Sequence, residues 1–153
     1  MTMMRPQVNL VTLGVPDLAA ARRFYVDGLG WEPVVEVENE IVFIPLAPGL
    51  LLGLFGAEDL ERDIGGGEPA AGPGAMTLAY NVNARGDVVK ALEAARAAGA
   101  TVLKEPRETD FGGFHAYFAD PAGFRWEVCH NPGFTVNADG TLTINHGQPG
   151  APL

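Results

Sequence analysis

The chain has 153 residues, 47% of them hydrophobic, with 10 basic against 19 acidic side chains and a formal charge of −9. That length suits one compact domain, or two small halves that share a core. The acidic balance and an isoelectric point near 4.6 exclude the basic stripe of a nucleic-acid binder and disfavour an anionic membrane surface.

In chain order, residues 1–9 carry one Arg and no long apolar run, so no signal peptide is read there. Residues 8–15, rich in Val, Leu and Thr, predict a strand that Pro16 ends. Asp17 is placed as the N-cap of a helix over 18–27, in which Leu18, Ala21 and Tyr25 share a face, with Gly28 or Gly30 as the stop. Short strands are expected within 32–37, 40–45 and 50–55; their apolar runs are too short to span a membrane. The same order then repeats. Residues 76–82 predict a strand, Asp87 a cap, and Val88, Leu92 and Ala95 a helix face that ends at Gly99. Strands fit 101–105, 113–119 and 124–130, the last two joined by the turn Asp120-Pro121-Ala122-Gly123.

The expected organisation is therefore a single α+β domain built of two βαβββ modules, 8–56 and 76–131. The segment 57–75, with Gly65-Gly66-Gly67, Pro69 and Pro73, reads as a linker or surface loop. Residues 132–153 form a C-terminal extension with a short hairpin around Asn137–Gly140 and a frayed end over 147–153.

Several stretches carry a resemblance. They are Leu10-Val11-Thr12-Leu13-Gly14-Val15-Pro16-Asp17-Leu18, then Phe24-Tyr25 and Gly28-Leu29-Gly30-Trp31. Later come Gly112-Gly113-Phe114 and Phe118-Ala119-Asp120-Pro121-Ala122-Gly123-Phe124-Arg125-Trp126-Glu127-Val128. Their order and spacing over residues 8–131 resemble the vicinal oxygen chelate superfamily, which includes glyoxalase I, bleomycin-resistance proteins and extradiol dioxygenases. The resemblance implies a cup-shaped mixed β-sheet of paired modules with flanking helices, often completed in a homodimer. It also implies, in metal-dependent members, four ligands for a divalent ion from the first and last strands of each module, as His or Gln, Glu, His and Glu. Those positions fall here on Leu10, Gly53, Thr77 and Glu127. Only Glu127 is an ordinary ligand, so no metal site and no cofactor are expected.

Strict alternation proposes a cup lining of Leu10, Thr12, Thr77, Ala79, Asn81, Phe114, Ala116, Phe118, Arg125, Glu127 and Cys129. If Ala119 and Phe124 flank the turn, His115 and His130 lie on the opposite side from Glu127, as packing or surface residues. His146 sits in the tail. Arg125, two residues from Glu127, is the expected partner of that carboxylate, or a grip for an anionic ligand. The single cysteine, Cys129, excludes an internal disulfide, makes a reducing compartment the default and reads as a small buried hydrophobe.

The reading that follows is a soluble, cytoplasmic, glyoxalase- or bleomycin-resistance-like protein whose partners are a small ligand and a second copy. It would bind a small, partly apolar organic molecule through Thr12, Thr77, Asn81, Phe114, Phe118, Arg125 and Glu127, with no nucleic acid and no membrane involved. One alternative is a lyase or isomerase of that superfamily with Glu127 as catalytic proton-transfer group. A further alternative is a metal-dependent glyoxalase or dioxygenase with a displaced site.

Overall fold

Each half of the chain folds as the repeat predicts. The computed structural model describes residues 4–65, 74 and 76–145; His146, the end at 147–153 and the remainder of the expected linker lie outside the described residues. The first module runs β1 (Leu10–Val15), α1 (Leu18–Arg22), β2 (Val35–Val37), β3 (Ile41–Ala47) and β4 (Leu50–Gly56). The second runs β5 (Leu78–Val82), α3 (Arg85–Ala98), β6 (Thr101–Glu108), β7 (Phe114–Ala119) and β8 (Arg125–His130). Their sheets have matching orders, β1-β4-β3-β2 and β5-β8-β7-β6. In each the first strand pairs parallel with the last, and the remaining pairs are antiparallel. A separate hairpin, β9 (Phe134–Val136) with β10 (Leu142–Ile144), follows.

Local chemistry explains the helix ends. Asp17 caps α1, accepting the Ala20 N–H at 3.0 Å. The helix expected over 18–27 is α-helical for only one turn and continues through a wider π turn, Arg23–Gly28. In that turn the Leu29 N–H reaches back to the Phe24 carbonyl at 2.9 Å. The widening turns two adjacent large side chains, Phe24 and Tyr25, inward together. Asp87 does not cap α3; Ala84 holds that position without a side-chain bond, and Asp87 lies in the first turn, where its charge complements the helix dipole. Gly99 ends α3 with φ of 109°.

Part of the expected linker is helical. Ala57–Ile64 forms helix α2, with Glu58 and Asp59 in its first turn and Gly65 in the left-handed conformation at its end. Its Leu60 lies against Gly14 of β1. The glycines that flank this segment dominate its composition and mask an eight-residue helix that buries none of its residues. No helix among the described residues is long and apolar enough to cross a membrane.

One core joins the modules. Leu13, Val15, Val42, Ile44, Leu52 and Leu54 from the first sheet and Ala116, Phe118, Trp126 and Val128 from the second belong to the same buried cluster. Phe24, Tyr25, Val88, Leu92 and Ala95 from the helical segments belong to it as well. Helix α1 with its π turn and helix α3 thus lie against the inner faces of the sheets, and the opposite faces, here called open, look away from the core, while the segment after β4 packs beside Gly14 at the end of the first sheet's open face.

Candidate functional site

On the open face of the second sheet, the β7–β8 register sets Tyr117 opposite Glu127 and His115 opposite Cys129. Side chains directly opposite across a strand pair share a face. His115 Nδ1 lies 2.8 Å from Glu127 Oε2, and the Tyr117 hydroxyl donates to the same oxygen at 3.0 Å. On the other side of the imidazole, Lys104 Nζ lies 3.0 Å from Nε2. An ammonium group can only donate, so Nε2 accepts, and the ring proton on Nδ1 is donated to Glu127. The result is a directed chain from Lys104 through neutral His115 to Glu127, with Tyr117 bracing the carboxylate. No hydrogen bond engages Glu127 Oε1 among the described residues, which leaves that oxygen as the acceptor for an incoming group.

Electrostatics follow the packing. Burial first, and then the Glu127 charge, hold the Tyr117 hydroxyl above its ordinary pKa. Burial, with a smaller contribution from Glu127, pushes the Cys129 thiol up to about 11. Cys129 is therefore a protonated, buried neighbour of the cluster and not a nucleophile.

This register corrects the alternation argument. His115 shares the face of Glu127 instead of opposing it. Phe118 and Ala116 sit on the helix-covered face within the core cluster, and Phe114 pairs with His130 on that same side, under the Arg85 guanidinium at 4.5 Å. The cause is the turn: its closing pair is Ala119 with Arg125, one residue later than Phe124. Asp120 holds it, exchanging backbone bonds with Phe124 and Gly123 and accepting the Ala122 and Phe124 N–H groups on Oδ1. A slip of one residue moves a whole strand to the other face.

Arg125 shares the face of Glu127 but is not its partner. Its guanidinium donates to the carbonyls of Gly74 and Met76, ahead of β5, and its Nε is buried without a partner among the described residues. Ala79 and Asn81 lie beside Glu127 and Cys129 across the parallel β5–β8 pair, and Thr77 precedes β5 on the same side. Thr12 lies opposite Gly53 on the open face of the first sheet, so one chain does not bring it to Glu127. His130 turns away, with Nδ1 3.3 Å from the Val82 carbonyl. Sequence reasoning missed Lys104, His115 and Tyr117; the one available signal was the alternation of His115, Tyr117 and Ala119 along β7, which needed the correct turn length to be read.

The four-ligand metal arrangement does not fit the residues present. Leu10 has no donor atom, and a Cβ at Gly53 would stand 3.2 Å from Phe43, 3.3 Å from Thr12 Oγ1 and 3.4 Å from Leu10. Leu10, Phe43 and Thr12 thus occupy the ground where a ligand side chain would stand. Thr77 offers only a hydroxyl, which leaves Glu127 as the one ordinary ligand among the four positions. Among the described residues no group of three or more His, Cys, Asp or Glu side chains is placed to hold a metal ion.

Paired βαβββ modules, each a four-stranded mixed sheet with its helix on one side, define the fold class of the vicinal oxygen chelate proteins. The chain belongs to the glyoxalase/bleomycin resistance protein/dioxygenase superfamily, whose model matches residues 7–128. A glyoxalase-related enzyme from Fulvimarina pelagi is 38% identical, with a TM-score of 0.85 over 92% of this chain and 99% of that one. A glyoxalase/bleomycin resistance protein/dioxygenase from Nocardioides is 25% identical, with a TM-score of 0.69 over 84% of this chain and 85% of that one. Lactoylglutathione lyase from Agrobacterium tumefaciens is also 25% identical, with a TM-score of 0.66 over 83% and 95% of the two chains. No curated protein matches the chain.

Proposed function

We propose that the protein binds a small, partly apolar organic molecule against the open face of its second sheet, without the divalent ion that metal-dependent relatives use. The observation that carries this reading is the Lys104–His115–Glu127–Tyr117 network, a set of convergent polar groups on a face that no helix among the described residues covers. Two open faces turned away from one core support a cup completed by a second copy of the chain. The first sheet would then supply an apolar wall, with Leu10, Val35 and Val37 each more than 40% exposed and Phe43 beside them, opposite the polar wall of the second. A cytoplasmic location accords with the single, unpaired cysteine.

The test is a thermal-shift screen of aromatic natural products, 2-oxo acids and thiol adducts, together with metal analysis and sedimentation of the purified protein. Saturable stabilisation with recovery of unchanged ligand, no stoichiometric metal and a dimer are expected. A tightly held divalent ion, or a monomer that binds ligand as well as any dimer, overturns the corresponding part. One specific observation favours a second reading. Glu127 Oε1 is free while Oε2 is braced by two donors, an arrangement suited to a carboxylate that takes a proton in a lyase or isomerase. Recovery of a new product that Glu127→Gln abolishes supports that reading over simple binding.

A further inference from the structure

We propose that a crevice on the helix-covered side, between the π turn and α3, is a second binding site, for an uncharged aromatic molecule of one or two rings. The crevice encloses about 180 Å³, and its walls include Leu29, Trp31, Tyr80, Ala94, Phe118 and Trp126. Apolar cavities of about 150 Å³ take up a benzene ring, so this volume holds one ring, with room for a second toward the mouth. Both tryptophans of the chain line it. Their rings stand 5.8 Å apart at 71°, an edge-to-face arrangement that offers an entering ring both a π face and an edge.

The site is distinct from the Glu127 network. Trp126 and Glu127 are adjacent in β8 and point to opposite faces of the sheet. Small residues of α3 keep the crevice open: Ala91, Ala94 and Ala95 stand where longer side chains would close it. The Trp126 N–H is already engaged, donated to the Tyr25 hydroxyl at 3.0 Å. No charged side chain among the described residues lines it. Its mouth opens into a larger cleft that shares Trp31, Tyr80 and Trp126 and adds Glu32 and Asn81. Glu32 at that mouth and the net charge of −9 oppose an anion.

With only two indoles, both in the crevice, their N–H resonances report the site directly. Quinoline is expected to shift them saturably with one-to-one stoichiometry and a dissociation constant below about 1 mM. Ala94→Leu, which fills the space from the helix side, should weaken quinoline by about tenfold or more while the protein unfolds at the same temperature. Tyr80→Ala should weaken it independently by removing a wall. The anion 1-naphthoate, of similar size, should bind at least about tenfold more weakly than quinoline. Glu127→Gln should leave quinoline binding unchanged, which separates this site from the proposed ligand face. Absence of a saturable shift, equal binding of 1-naphthoate, or unaltered binding in both wall variants overturns the proposal. So does a loss of quinoline binding in Glu127→Gln.

Discussion

Tyr25 donates a 2.6 Å hydrogen bond to Asp120 across 95 residues of chain, and both groups are buried. The tyrosine comes from the π turn of the first module and the aspartate from the turn that sets the β7–β8 register of the second. Trp126 completes the set by donating to the same hydroxyl. Burial of the pair pushes the tyrosine hydroxyl up, and burial also raises the Asp120 carboxyl, against the lowering effect of Tyr25 and the turn N–H groups. This bond ties the two modules together at the point where the geometry of the open face is decided.

Tyr25→Phe removes one partner each from a buried carboxylate and a buried indole, and should cost about 1–3 kcal/mol in urea unfolding near neutral pH. The sign of its pH dependence follows from Asp120. A carboxyl whose folded pKa is raised binds its proton more readily in the native state, so its contribution to stability grows as pH falls through the window just above the ordinary carboxylate value. Loss of Tyr25 raises Asp120 further. The variant should therefore lie closer to wild type at about pH 4.5 than at about pH 7.

The Lys104–His115–Glu127 chain makes a prediction about protons. Long-range proton–nitrogen spectra of the imidazole should show His115 protonated on Nδ1 and bare on Nε2 near neutral pH. Glu127→Gln removes a charge that raises the Tyr117 hydroxyl, so one tyrosine should ionise at lower pH in the variant, read by ultraviolet difference titration. Because the pair is partly exposed, stability should change by under about 1 kcal/mol.

Cys129, held at about 11 by burial, should react with iodoacetamide far more slowly at pH 8 than the same thiol in unfolded protein. Its raised pKa also means that the native state keeps the proton longer than the unfolded chain between about pH 9 and pH 11. Stability should then fall as pH rises through that window, by up to about 3 kcal/mol. Cys129→Ala should flatten that part of the urea-midpoint profile.

Gly28 marks a close approach between the modules. A Cβ there would stand 2.6 Å from the Ala98 side chain of α3. Gly28→Ala should cost about 1–3 kcal/mol by forcing the π turn away from the helix, and Gly28→Ala with Ala98→Gly should recover only part of it, because the Ala98 Cα would still stand 3.1 Å from the new Cβ. Denaturant midpoints of the three proteins check this.

Hydrophobic periodicity and the turn residues were sufficient, without tertiary information, for the two modules and their element order. Those features are local, written in the spacing of Leu and Val residues and in Pro16, Asp17, Gly99 and Asp120-Pro121. Alternation along β8 likewise placed Arg125, Glu127 and Cys129 on one side. What surrounds Glu127 depended on pairing between strands. The bonds Asp120 makes to Ala122, Gly123 and Phe124 lengthen the turn by one residue, and that single step exchanged Phe114, Ala116 and Phe118 for His115 and Tyr117. The shared core that turns both open faces outward is likewise a product of packing. Sequence spacing reports which residues share a strand face; only the folded chain sets one strand against another, because register is fixed by turn geometry and by the side chains on both sides of the sheet at once.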